Sequence, residues 1–287
     1  MKHIFTYTIV ALLFFSCAKD QPEVAWLKID QWDLVANPDA ENPQGELSHN
    51  LNQVFVNMDG KSLGMYELPA KIPIIGDGAH EFVLIPGIIV NGIGETKKRY
   101  PFAEQFKEII TLKKNDTVSV SPKTRYYSAL NFLIEDFESP SMQVDVATES
   151  TATLGRSSDP EILVWGNKYG DIQLNDADSS ISFVTNFQTV LPKLGAEVFL
   201  EFDYMNTNSM LTSTIAYGNG NYHENPYIIV APQAENEAKW KHAYIDLKEN
   251  ISYHQTTPIN EVQFTLILDE LGTSKYFYID NIKLIYP

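Results

Sequence analysis

Apolar residues recur along this chain in short runs broken by Asn, Asp, Gly and Pro, and no long stretch sustains a helical period. The runs are rich in Thr, Val, Ile and aromatic side chains, which suit a pleated, half-buried surface. They predict an all-β chain. The alternation Trp26, Leu27, Lys28, Ile29 within Val24 to Leu34 predicts a first strand, and the stretch from Asn37-Pro38-Asp39 to Gln44-Gly45 is a turn-rich loop. Val54-Phe55-Val56 and Met65-Tyr66-Glu67-Leu68 flank Asp59-Gly60, a dipeptide that accepts positive φ at both turn positions and so predicts a tight hairpin. Glu81 to Ile85 forms a further strand. Phe106 to Leu112 and Thr117 to Val120 follow, with Lys113-Lys114-Asn115-Asp116 as the turn between them.

The texture changes after residues 122–128, a Ser-Pro-led stretch expected to link two domains, 24–121 and 129–287. Beyond it the strands lengthen: Ser182 to Phe187, Val198 to Tyr204, Thr214 to Tyr217, Tyr227 to Ala231, Trp240 to Leu247 and Glu261 to Leu268. Leu130 to Glu138 opens this half and Tyr276 to Ile285 closes it. Trp240 is expected in the core of its strand.

The first residues carry a different signal. Lys2 and His3 precede an apolar run from Ile4 to Phe15, shorter than the ~20 residues that span a bilayer, which reads as the h-region of a secretory leader. Phe14-Phe15-Ser16-Cys17 resembles a bacterial lipobox, so residues 1–17 are expected to be a lipoprotein signal with Cys17 as the lipid-bearing residue. The alternative is a plain signal with an incidental cysteine. Cys17 is the only cysteine of the 287 residues, which leaves no disulfide to form. Ala18 to Glu23 is the expected tether. Its Lys19-Asp20 followed by Glu23 resembles the surface-export signal of Bacteroidetes lipoproteins, although Gln21 and Pro22 interrupt the acidic pair. The expected location is the outer membrane, anchored by lipid, with the cell surface favoured over the periplasmic face.

Charge narrows the partners. The chain has 37 acidic and 21 basic residues and a formal charge of −16. That balance argues against nucleic acid, whose phosphates reward Lys and Arg, and against docking of the body on anionic lipid. Gly60-Lys61-Ser62 lacks the first glycine of a phosphate-binding loop and sits in a hairpin. Lys97-Lys98-Arg99 reads as a solvated loop tip. Gly60-Lys61-Ser62-Leu63-Gly64 spells G-x-S-x-G but lies in that same hairpin and not in the strand-to-helix turn of a nucleophile elbow. The chain contains no H-E-x-x-H pattern, His223-Glu224 and His242 have no metal-ligand spacing, and nothing nominates a carboxylate pair for glycoside hydrolysis. A non-catalytic protein is expected.

Two resemblances sharpen this. The Val54-x-Val56-x-x-Asp59-Gly60-Lys61 hairpin, with the later Gly78-x-His80 strand ending in Pro86-Gly87, is similar to small PEGA-like β-sandwich modules of bacterial envelope proteins. The opening Asp136-Phe137-Glu138 and the closing Tyr278-Ile279-Asp280-Asn281-Ile282-Lys283-Leu284 resemble the first and last strands of galactose-binding-like jelly rolls, including many carbohydrate-binding modules. They imply a small N-terminal sandwich followed by a C-terminal jelly roll. The second resemblance implies a structural calcium on Glu138 and Asp280, with Glu135 and Asp136 nearby. The alternative is that these acids are solvent-facing strand ends. Sugar recognition combines aromatic rings with polar side chains. The candidates are Trp165 and Tyr169 in VWGNKYGD, and Tyr217 and Tyr222 in AYGNGNYHENPY, two segments rich in Gly and Asn whose rings are expected near loops. Asp116-Thr117-Val118 resembles the Bacteroidetes O-glycosylation acceptor and marks Thr117. Two functions stay open: a glycan-capturing lipoprotein, or an accessory scaffold of an outer-membrane transport or secretion complex.

Overall fold

A computed structural model describes residues 24–287; the leader, Cys17 and the tether 18–23 lie outside the described residues. The first half contributes β1 (Ala25–Ile29), β2 (Asp33–Leu34), β3 (Gln53–Met58), β4 (Lys61–Glu67), β5 (Ala70–Ile74), β6 (Gly78–Ile89), β7 (Lys97–Arg99), β8 (Phe106–Leu112), β9 (Thr117–Val120) and β10 (Lys123–Thr124). β1 lies between antiparallel β5 and parallel β9. β3 and β6 form the centre of a larger sheet, with β4 beyond β3 and both β7 and β8 on β6. Leu27, Ile29, Val54, Val56, Phe82 and Leu84 are fully buried, each at alternate positions of its strand as a two-layer core requires. Asp59 (φ 50°) and Gly60 (φ 76°) turn β3 into β4, the geometry that their dipeptide favours.

The expected β8–β9 hairpin does not form. β8 pairs with the long β6, whereas β9 crosses to β1, and Asn115 (φ 61°) with the Trp26 N–H on Asp116 O fixes the turn against the start of β1. Two sheets each had an edge to fill, and filling both outweighed pairing neighbours in sequence. Residues 122–128, expected as the link, are themselves packed: β10 pairs with β2, and Tyr126 is 1% exposed with its ring edge-on to Phe132 at 5.2 Å.

The second half is a jelly-roll-like sandwich of β11 (Asn131–Glu135), β12 (Val144–Val146), β13 (Leu154–Ser157), β14 (Tyr169–Leu174), β15 (Ser180–Thr185), β16 (Phe199–Asn206), β17 (Met210–Gly218), β18 (Asn221–Val230), β19 (Lys241–Asp246), α1 (Lys248–Tyr253), β20 (Ile259–Ile267) and β21 (Lys275–Tyr286). One sheet runs β13-β14-β21-β16-β19, with β11 beside β14 on β21; the other runs β12-β15-β20-β17-β18. First and last strands therefore meet, Glu135 opposite Ile282. Between the sheets Phe183 stacks on Phe264 at 5.0 Å, and Phe202 meets Phe264 edge-on at 5.6 Å.

The outer face of the first of these sheets is covered by the N-terminal half. Tyr100 and Phe102 pack edge-on against Phe199 at 6.1 and 5.6 Å. The basic cluster contributes here as well: Lys98 pairs with Glu197 at 2.8 Å and Asp246 at 2.9 Å, and the Arg99 guanidinium lies over the Phe55 ring. Lys97–Arg99 is thus an edge strand that clamps the two halves, not a solvated tip. Charge density alone could not reveal acids that arrive from 99 and 148 positions away.

Candidate ligand-binding groove

The uncovered face of the second sheet presents a different surface. Side chains directly opposite across strands share a face, as do residues two apart. Tyr217 lies opposite Tyr222, Ile215 opposite both Glu224 and Glu261, and Val184 opposite Asp145 and Gln263. Of these, Tyr217, Tyr222, Ile215, Glu261, Val184 and Asp145 join the loop residues Asn186 and Gln188 in a groove of about 390 Å³, with Ile215 and Val184 as apolar floor. Tyr222 is 63% exposed and Tyr217 half-buried.

The local sequence builds this arrangement. Asn219 (φ 54°) and Gly220 (φ 78°) both take left-handed conformations, making the two-residue turn that keeps Tyr217 and Tyr222 in register. Gly218 sits at φ 122°, and a Cβ there would lie 2.7 Å from the Pro258 ring, so the hairpin can rest on that proline only with glycine. Glu261 is buried at the groove wall. The Thr185 hydroxyl donates to its Oε2 and the Gln188 N–H to its Oε1, both at 2.5 Å. Burial raises its pKa while these donors oppose the shift. The groove thus offers an exposed ring, a second ring beside it, and oxygen and amide groups at the rim: Asp145, Asn186 and Glu261. Sugar C–H faces suit the rings, and hydroxyls suit the fixed acceptors.

The four aromatic candidates divide. Tyr217 and Tyr222 share the groove; Trp165 and Tyr169 lie elsewhere. Tyr169 is not displayed near a loop, since it begins β14 and is 2% exposed against Trp240 at 6.0 Å and Tyr278 at 5.2 Å. The strand β14 was hidden by the polar loop composition around it. Trp165 is half-buried, edge-on to Trp240 at 5.5 Å. Trp240 itself is outside the sandwich core: half-buried just before β19, it donates Nε1–H to Ile162 O at 2.8 Å and pins the loop that carries Trp165. Glu261, Asp145, Asn186 and Gln188 escaped sequence reasoning. The one available signal was the alternation of β20, where Glu261 and Gln263 flank the core residue Val262 and so face outward.

The calcium candidates converge in part. Asp136, Glu138 and Asp280 line a cavity of about 120 Å³ together with Glu46 and Trp165, and no cationic side chain lines it. Burial raises the Asp280 carboxyl to about 8, against the Asn281 N–H bond, with Asp203, Asp136 and Glu138 adding to the rise. Glu138 is turned onto the 166–168 loop, accepting the Asn167 N–H at 2.5 Å, the Lys168 N–H at 2.9 Å and Asn167 Nδ2 at 3.0 Å. Gly166 takes a left-handed conformation there (φ 55°), and a Cβ would push the Glu138 carboxylate aside. Glu135 instead caps the N–H groups of Phe137 and Gln143 and leaves the set. Among the described residues no three His, Cys, Asp or Glu side chains close around a metal position. The chemistry is that of hard oxygen donors without a counter-charge, which fits a cation such as calcium if backbone carbonyls complete the shell. Thr117 is exposed on β9.

The covered face of the sandwich carries a buried polar network. Tyr100 and Tyr126 donate to Glu201, His242 Nδ1 binds Asp203 at 2.8 Å, Asn281 Nδ2 binds Asp203 at 2.9 Å, and Lys283 donates to Glu46 O. Burial alone would lower the His242 pKa, but Asp203 and Glu201 raise it to about 9.

No family model and no curated protein matches this chain. Among solved structures, a carbohydrate-binding module of the β-sandwich superfamily is similar at TM-score 0.36 and 11% identity over 81% of this chain and 84% of that one. The carbohydrate-binding module TmCBM61, in complex with β-1,4-galactotriose, gives a TM-score of 0.34 and 15% identity over 53% of this chain and 95% of that one. The enzymatically active domain of bacteriophage CBA120 tailspike protein 4 gives 0.37 and 14% over 52% of this chain, which spans only 20% of the tailspike chain.

Proposed function

We propose that this protein is a non-catalytic glycan-binding lipoprotein, held to the outer membrane through Cys17, and that the Tyr217–Tyr222 groove is its binding face. The observation that carries the reading is the pair of tyrosines in cross-strand register beside the anchored carboxylate of Glu261 and the exposed Asp145. Two carboxylates and no cationic side chain line the groove, so its ligand is a neutral saccharide whose hydroxyls donate to Asp145 and Glu261. Affinity electrophoresis against a panel of neutral polysaccharides tests this: retardation by a member of the panel, lost in Tyr222→Ala, supports it. Uniform mobility across the panel favours the scaffold role, which co-purification of an outer-membrane partner would then establish.

We assign the Asp136, Glu138, Asp280 cavity to structural calcium. A melting temperature that rises with calcium in the parent and not in a Glu138→Ala, Asp280→Ala variant supports the assignment; indifference of the parent to EDTA ends it. Labelling of Cys17 by a fatty-acid probe tests the anchor, and a mass shift lost in Thr117→Ala tests the glycan acceptor.

A further inference from the structure

A second and larger cleft, of about 730 Å³, runs between the two halves along the free edge of β19. No acidic side chain lines it, although the chain holds 37 acids against 21 bases. Exposed Lys239 and Lys241 flank it, with Trp240 between them, and His49 and His242 line its N-terminal side. The His242 side chain is 3% exposed; Asp203 holds its Nδ1, while Nε2 stands 3.4 Å from Glu201 Oε2 and makes no hydrogen bond. The Leu51 N–H donates to His49 Nδ1 at 3.3 Å, which puts the proton of the neutral ring on Nε2 as a donor. Asn91 closes part of the β19 edge, giving its N–H to Tyr244 O at 2.8 Å and accepting the Asp246 N–H at 3.1 Å. The cleft begins where that closure ends.

We propose that this cleft is a second ligand site, independent of the tyrosine groove, and that it takes a sugar bearing a carboxylate, of the uronic-acid class. Two lysines and two histidines line it and no Asp or Glu does, which selects an anion. Carboxylate is favoured over phosphate because no arginine fork and no helix N-terminus lines the cleft. A sugar ring is favoured over a simple acid because Trp240 and Tyr204 supply aromatic surface and Asn50 supplies an amide. The volume falls in the range of small-molecule sites, roughly 300–1,000 Å³.

The test is calorimetric titration of the full chain in mild detergent with D-galacturonate, D-galactose, tri-galacturonate and inorganic phosphate. Galacturonate should bind at least about tenfold more tightly than galactose, the difference expected for one charge-assisted contact, and should weaken as salt rises. Tri-galacturonate binding as well as the monomer identifies a residue within a glycan; monomer binding alone identifies a free sugar acid. Lys239→Gln with Lys241→Gln should lower galacturonate affinity about tenfold or more, with an unchanged melting temperature because both side chains are exposed. Tyr222→Ala should leave it unchanged, which separates this site from the groove. Equal affinity for galactose and galacturonate, equal affinity for phosphate, or a double lysine variant that binds as the parent does would overturn the proposal.

Discussion

The two outer faces of the C-terminal sandwich are built from the same kind of strand and meet opposite fates. On the covered face, β16, β19 and β21 turn Glu201, Asp203, His242 and Lys283 outward into a buried interface, where each needs a partner. On the open face, β17 and β18 turn Tyr217 and Tyr222 toward the groove, and β20 holds Glu261 buried at its wall. The polar groups of the covered face pair with one another and with the N-terminal half; the open face leaves its rings free, and there we propose that a ligand binds. An ionisable residue on a strand is therefore no guide to function until the cover over that strand is known. Here the more heavily charged face serves architecture.

The sharpest way to break this contrast is to unbalance the covered face. His242→Ala would leave Glu201 and Asp203 buried without their cation, and we expect a loss of about 3–5 kcal/mol in denaturant unfolding, whereas Tyr222→Ala should change stability little. A parent-like unfolding midpoint for His242→Ala would show that the network contributes little. The pH dependence gives the sign independently. His242 is raised to about 9 in the fold from about 6.5 when unfolded, so the folded state holds the proton more tightly. Its contribution is fully present below about pH 6.5 and is lost as pH rises through about 9. Glu201 and Asp203 from β16, Lys283 from β21, Tyr244, and His49 from the loop before β3 face this ring or its field. His242→Gln should flatten the decline between those pH values; an equally steep decline in the variant would assign it to other groups.

A smaller effect is expected at the edge of the contrast. Lys98 bridges Glu197 and Asp246 across the halves but is one-third exposed, so Lys98→Ala should cost at most about 1 kcal/mol. A cost as large as that of His242→Ala would mean that the rim, not the buried network, holds the halves together.

Much of the architecture was legible in the sequence, and for identifiable reasons. Asp59-Gly60 specified its hairpin because few dipeptides accept two positive φ angles, and the alternations in β16, β19, β20 and β21 marked strands with one face in a core. What failed was pairing between distant segments. β9 left β8 for β1, and Lys98 found acids from the other half. The groove was half-visible: its tyrosines stood out beside Asn219-Gly220, but Glu261 and Asp145 join them only through the register of β17, β20, β15 and β12. Tyr169 and Trp165 had the same local texture as Tyr217 and Tyr222, and only the packing of Trp240 against both separates the pairs. Composition can say that a ring is near a loop; it cannot say what that loop lies against.

The central claim is that the open face binds a neutral glycan through Tyr217 and Tyr222. The most direct measurement is the affinity of the parent, Tyr222→Ala and Trp165→Ala for the polysaccharide that retards the parent most. We expect Tyr222→Ala to weaken binding about ten- to a hundredfold, as loss of a central aromatic contact does, with Trp165→Ala close to the parent. Binding that survives Tyr222→Ala and collapses in Trp165→Ala would contradict the account and move the site to the other side of the sandwich.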